Sequence, residues 1–258
     1  TTVDSFDARG RSELLWAASV TATDIGDDAR ALAARAGLAP LLDGIQDANL
    51  EALAELAMAW SAPIAGDLDE ALRWASASLE SLRRQDEPFW ITLALFTTGT
   101  LEIALRRYEE ASRHLLELRN VADRFDNGFI AAGSRVQLGK LAIAQGRTAD
   151  AGPLLDEALD LSLGARSTHF VSLSLMGFAS LAFTEGAAER AALVVGAADG
   201  IRRRVGMRAW PMLRRGEADL AARVRQALSA DRYDRAYAAG ALLSQQEAVA
   251  TVRRRRVT

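Results

Sequence analysis

"GDLDEALRWASAS", residues Gly66–Ser78, decides how the chain is read. A glycine can take up the left-handed backbone that ends a helix. Behind it Ala71, Leu72 and Ala75 follow helical spacing, so a second helix begins almost at once. The same arrangement recurs every 40 residues: turn glycines stand at Gly26, Gly66, Gly146 and Gly186, with Arg106 in the one slot that departs. Five residues after each turn position comes an alanine, Ala31, Ala71, Ala111, Ala151 and Ala191. Seven before it lies a small residue, Ser19, Ala59, Gly99, Gly139 and Ala179. A fourth column, Asp47, Glu87, Asn127 and Ser167, stands where the next helix starts. Three of its side chains suit the capping of free backbone N–H groups, and Pro88 suits a first helical position, where its missing N–H costs nothing.

Each unit therefore reads as a helical hairpin. Helix A is exemplified by "FWITLALFTTGTLEIAL" (Phe89–Leu105) and helix B by "YEEASRHLLELRNVADRF" (Tyr108–Phe125). The small residues let two backbones approach, since a longer side chain at a tight crossing overpacks by about 1–3 kcal/mol. A hairpin this short cannot bury its own apolar face, so neighbours must stack. The expectation is an all-α fold: a right-handed α-solenoid of about five hairpins over residues 1–205, then a C-terminal helical cap and basic tail over 206–258.

Composition limits the function classes. The chain has 258 residues, 50% of them hydrophobic, enough for a substantial core. Its 31 basic and 34 acidic residues leave a net charge of −3 and no electrostatic footprint for nucleic acid. There is no cysteine for a disulfide or thiolate site, no secretory leader and no run of apolar residues long enough for a membrane span. A cytoplasmic protein without membrane contact is expected. Lys140 is the sole lysine, a bias that fits a GC-rich bacterial gene. The chain opens at Thr1 without methionine and reads as a piece of a longer protein.

The order small residue, turn glycine, alanine resembles the tetratricopeptide repeat (TPR), best in "GDLDEAL" (Gly66–Leu72), "RYEEASRHLLEL" (Arg107–Leu118) and "GRTADAGPLLDEAL" (Gly146–Leu159). The usual TPR period is about 34 residues, and the second alanine column of that family is here Leu38, Ser78, Leu118, Ala158 and Ala198, only partly small. HEAT-like pairs are the alternative that the longer period admits. After the repeats, "AAERAALVVGAADGIRRRVGMRAWP" and the segment that follows resemble the C-terminal helical region of MalT-like, LuxR-type bacterial signal-transduction ATPases. In that ending a helix with Tyr233 and Tyr237 closes at Gly240, and a final helix opens at Ser244 and Glu247, the S-x-x-E of a capping box. The resemblance implies a sensor segment that receives an inducer or a protein, with a nucleotide-binding module and a DNA-binding domain elsewhere in the full-length protein. The alternative is a general TPR scaffold for protein–protein interaction, unrelated to transcription.

Catalytic chemistry finds no foothold, so no enzyme and no cofactor are expected in this segment. "LGKL" (Leu138–Leu141) lacks the loop and hydroxyl of a phosphate-binding motif. His114 and His169 are isolated, and no metal-ligand spacing occurs. The pairs Asp69–Glu70 and Glu109–Glu110 sit in first turns of B helices, where they complement the helix dipole. Arg253–Arg256, four consecutive arginines, is a run that could touch nucleic acid but reads first as a helix end or linker, and Arg202–Arg204 spreads over several faces of a helix. The candidate binding surface is the concave wall of the A helices. One column there is Leu56, Phe96, Val136 and Met176; the neighbouring one is Trp60, Thr100, Lys140 and Ser180. Lys140 and Thr100, polar within apolar helices, are the positions expected to meet a ligand.

Overall fold

The structure, a computed structural model, describes residues 7–125 and 127–254. Among these residues the chain is all-helical, with no strand. The helices are α1 (Ala8–Ile25), α2 (Asp28–Leu38), α3 (Ala48–Ser61), α4 (Leu68–Gln85), α5 (Pro88–Ala104), α6 (Tyr108–Arg124), α7 (Gly128–Ala144), α8 (Thr148–Gly164), α9 (Thr168–Thr184), α10 (Ala188–Arg204), α11 (Pro211–Gln226), α12 (Ala230–Leu242) and α13 (Gln245–Arg253). Odd-numbered helices from α1 to α9 are the A helices and even-numbered ones from α2 to α10 the B helices.

The hairpin turns follow one stereochemical rule. Gly26, Gly66, Gly146 and Gly186 have φ between 75° and 86°, and Arg106 joins them at 60° although it carries a side chain. The N–H of the next residue then reaches the carbonyl five residues before it: Asp27 to Ala22, Asp67 to Ala62, Arg107 to Glu102, Arg147 to Ala142 and Ala187 to Ala182. That is the Schellman closure of a helix C-terminus. The turns between hairpins use it too. Asp86, Arg166 and Gly206 are left-handed, and Ser167 and Met207 close onto Ser162 and Arg202. A helix thus ends every 20 residues over most of the repeat region, and the 40-residue period is a pair of like half-units. The first B helix departs: α2 is only 11 residues long and runs into a 3-10 helix, Ala39–Gly44, that carries Pro40.

Every position of the alanine column is fully buried, and so are the five small positions of the A helices. At Gly139 a β-carbon would stand 3.0 Å from Leu155 Cδ2 and 3.6 Å from the Ala151 carbonyl oxygen, so the small A position does meet the alanine side of its B helix. Asp47, Asn127 and Ser167 cap α3, α7 and α9 through their side chains; Glu87 makes no such bond, and Pro88 fills the first helical position behind it.

The chain forms two compact units, Thr1–His114 with Arg208–Leu213, and Leu115–Met207 with Arg214–Thr258. In the first, α1 pairs with α2, α3 with α4 and α4 with α5, and the A helices α1 and α3 touch. Leu38, Leu42, Ala54, Ala57 and Met58 form a core there, flanked by Leu15, Trp16, Ile45 and Trp74. Arg35 clasps three of these helices by bonding the Met58 carbonyl (3.0 Å) and Glu70 (2.5 Å).

In the second unit α7 pairs with α8, α8 with α9 and α9 with α10, and α12 and α13 pack on α10. The core runs from Ala142 and Leu155 through Leu175 and Val195 to Val249. Gly240 does not close α12, which continues to Leu242; it is buried against α10, where its missing side chain is needed for the crossing. The final helix opens as read: Ser244 accepts from the Glu247 amide, and the Glu247 carboxylate accepts from the Ser244 amide at 2.8 Å.

Candidate functional site

The A-helix columns divide by burial. Leu56 and Val136 are wholly buried, and Phe96 and Met176 nearly so. All four pack as core, and in the second column Thr100 is buried as well, contrary to the expectation that it meets a ligand, which leaves Trp60, Lys140 and Ser180 to provide accessible chemistry. In the first unit the half-buried Trp60 donates through Nε1 to Thr97 Oγ1 at 2.8 Å, and Thr100 donates its hydroxyl to the Phe96 carbonyl at 2.6 Å. In the second unit Lys140 and Ser180 are half-buried, and the Ser180 carbonyl accepts from Thr184.

Lys140 stands apart from the rest. Among the described residues no hydrogen bond or ion pair holds its ammonium. Some of its surface stays open, but desolvation lowers its pKa below the ordinary lysine value; Glu217 opposes that shift and Arg202 adds to it. Those two neighbours form a buried bidentate pair, Arg202 Nη1 to Glu217 Oε2 at 2.6 Å and Nη2 to Oε1 at 2.9 Å. Burial alone would lower the Arg202 pKa, but Glu217 and Asp199 hold it above its usual value.

Further polar groups surround the pair. Tyr237 donates its hydroxyl to Asp199 Oδ2 at 2.8 Å. Burial raises the Asp199 pKa against the help of that bond and of Arg202, and burial with Asp199 pushes the Tyr237 phenol up to about 12. His169, on α9, is driven down to about 3 by desolvation and then by Arg202, so it is neutral at physiological pH. The second unit thus concentrates a desolvated lysine, a buried Arg–Glu pair and a Tyr–Asp pair, contributed by α7, α10, α11 and α12. Chemically the Arg202 and Glu217 charges compensate each other directly, which leaves the Lys140 ammonium as the charge that an anionic group would pair with.

Sequence reasoning reached Lys140 through its column but not its neighbours. Arg202 was one of three consecutive arginines, and only the fold separates them: Arg202 is buried, while Arg203 and Arg204 are exposed. Arg204 instead holds the Ala241 and Leu243 carbonyls at the end of α12. Glu217 lies in α11, outside the repeat, so no column could have pointed to it.

The other candidates settle into structural roles. His114 Nδ1 meets the buried Glu102 carboxylate at 2.9 Å. Leu138–Leu141 lies inside α7 and forms no loop. Asp69 pairs with Arg107, and Glu70 with Arg35. Arg253 closes α13 and pairs with Asp160; Arg255 and Arg256 lie outside the described residues. Among the described residues no three His, Asp or Glu side chains gather as metal ligands, and no helix is long and apolar enough to cross a membrane.

No protein-family model matches the chain, and a search of curated proteins finds no match.

Proposed function

We propose that this chain is the sensing part of a helical-repeat regulator, binding a small inducer with an anionic group on the A-helix surface of its second unit. The observation that carries this reading is Lys140: the chain's sole lysine, desolvated and unpaired among the described residues, beside the Arg202–Glu217 pair. Leaving an ammonium in that state costs free energy that a bound carboxylate or phosphate would return. The tie to transcription rests on the resemblance to MalT-like regulators at Tyr233, Tyr237, Ser244 and Glu247.

Calorimetric titration of the native chain and of Lys140→Ala with a panel of small carboxylates and phosphates tests the proposal. A ligand of this site should lose about tenfold or more in affinity on Lys140→Ala, since hydrogen bonds to charged groups contribute about 1.5–3 kcal/mol. Equal affinities for native and variant across every binding compound overturn it.

A further inference from the structure

We propose that the surface of the first unit formed by Asp24, Gly26, Asp28 and Phe96 is a recognition site for an extended peptide bearing arginine and tryptophan two residues apart, held here by the chain's own Arg208–Trp210. This goes beyond the inducer site proposed above, which lies in the second unit, and stands independently of it.

The segment is built as a ligand is built. After the Schellman closure of α10 and the left-handed Gly206, residues 207–210 leave the helix, and α11 starts only at Pro211. Arg208 Nη1 then donates to the Gly26 carbonyl at 3.1 Å and to Asp28 Oδ2 at 3.3 Å. That carbonyl lies at the C-terminal, negative pole of α1, a natural seat for a cation. Two residues on, the Trp210 indole meets the Phe96 ring edge-on, with centroids 5.6 Å apart, and donates Nε1–H to Asp24 Oδ1 at 3.0 Å. Met212 and Leu213, next along the chain, are buried.

The turn glycines identify the arginine seat as a special place. A β-carbon at Gly66, Gly146 or Gly186 would meet nothing within 4 Å, so those glycines answer only to their backbone angle. At Gly26 it would stand 2.6 Å from Arg208 Cδ and 2.9 Å from Cβ and Cγ. The aliphatic stem of the arginine lies on the turn, and of the four turn glycines Gly26 alone has such a cover. Arg208 and Asp24 remain largely exposed, so the contacts are of the kind that an incoming chain can replace. A tethered segment competes at an effective concentration in the millimolar range, about 1 mM, and masks the site from dilute peptide.

The test uses a blocked, fluorescently labelled peptide with the sequence of residues 205–213, VGMRAWPML, followed by anisotropy. Arg208→Ala/Trp210→Ala, which vacates the site, should bind it at least about tenfold more tightly than the native chain. Adding Gly26→Asn should abolish binding, because asparagine tolerates the left-handed backbone but its β-carbon fills the arginine seat; adding Gly66→Asn should not. A peptide with alanine for both anchors should not bind. Equal binding to native and vacated chains, or binding that survives Gly26→Asn, overturns the proposal.

Should the vacated variant fail to fold, amide exchange of the native chain decides. Saturating peptide must speed exchange at residues 207–210, and unchanged exchange there overturns the proposal. The Lys140 titration probes the second unit and this peptide the first, so peptide binding without a Lys140 effect defeats only the inducer reading, and the converse defeats only this one.

Discussion

Gly240→Ala should destabilise the protein even though alanine is the better helix former. On α12 a β-carbon at Gly240 would lie 1.8 Å from the Leu193 carbonyl oxygen and 3.0 Å from the Ala197 amide nitrogen of α10. From the other side, β-carbons at Gly196 and Gly200 would lie 2.1 Å from the Tyr237 oxygen and 2.2 Å from the Ala241 oxygen. Every one of these obstacles is backbone, so no side chain can swing aside and the two helices would have to part by more than about 1 Å to restore ordinary contact. Helix propensity favours alanine by about 1 kcal/mol. Overpacking at the upper end of its usual range costs about 3 kcal/mol. The net loss is then about 2 kcal/mol, or about 4–8 °C in melting temperature for a chain of this size. Gly216 in α11 is the control, exposed and with nothing within 4 Å of its β-position, so Gly216→Ala should gain about 1 kcal/mol. Circular dichroism melts of the two variants read the sign directly. A Gly240→Ala protein that melts at or above the native temperature would refute the backbone-limited crossing.

Arg106 occupies a left-handed position at φ 60°, a conformation that costs a residue with a side chain about 1 kcal/mol, so Arg106→Gly should raise the urea midpoint where glycine normally lowers it. Ala151, fully buried, should tolerate leucine far less well than exposed Arg147, and equal melts for Ala151→Leu and Arg147→Leu would defeat the repeat register. Burial pushes the Glu55 pKa up to about 7, with Glu51 and Glu80 adding and Arg84 opposing. A carboxyl whose folded value is raised binds its proton more tightly in the folded state, so stability drains away as pH climbs from about 4.3, its unfolded value, to about 7. Glu55→Gln should therefore gain on the native chain across that window, and a urea-midpoint difference that is equal at about pH 4 and about pH 8 would count against it.

The hairpins were legible because alanine and glycine, the residues tight crossings and left-handed turns demand, recur in register. The half-unit of 20 residues was not, because at the turns between hairpins Asp86 and Arg166 adopt the same left-handed state with no compositional mark, and Gly206 alone does not make a column. Arg106 shows the same point within the glycine column, where the Schellman bonds of Arg106 and Arg107 hold the turn despite the side chain. Gly240 was misread as a terminus because a glycine near a helix end signals either a stop or a close approach, and only the partner helix distinguishes them. Lys140 could be found as a polar break in an apolar column. Its setting could not, because Arg202, Asp199, Glu217 and Tyr237 come from helices whose meeting depends on how α11 and α12 fold back on the repeats.

Gly26 carries that argument furthest, since in the sequence it is interchangeable with Gly66, Gly146 and Gly186. All four have the same angle and the same closure of the helix before them. Periodicity ranks them as equals because a repeat column records only what every unit shares. What sets Gly26 apart is Arg208, 182 residues further along the chain, and no local pattern encodes a contact of that separation. Selection for the turn would accept asparagine at any of the four, whereas selection for the arginine seat would refuse it at Gly26 alone. Parallel Gly→Asn substitutions at the four turns therefore separate the two demands: comparable small losses of stability at all four would leave the column purely architectural, and an excess loss confined to Gly26 marks the turn that also recognises a side chain.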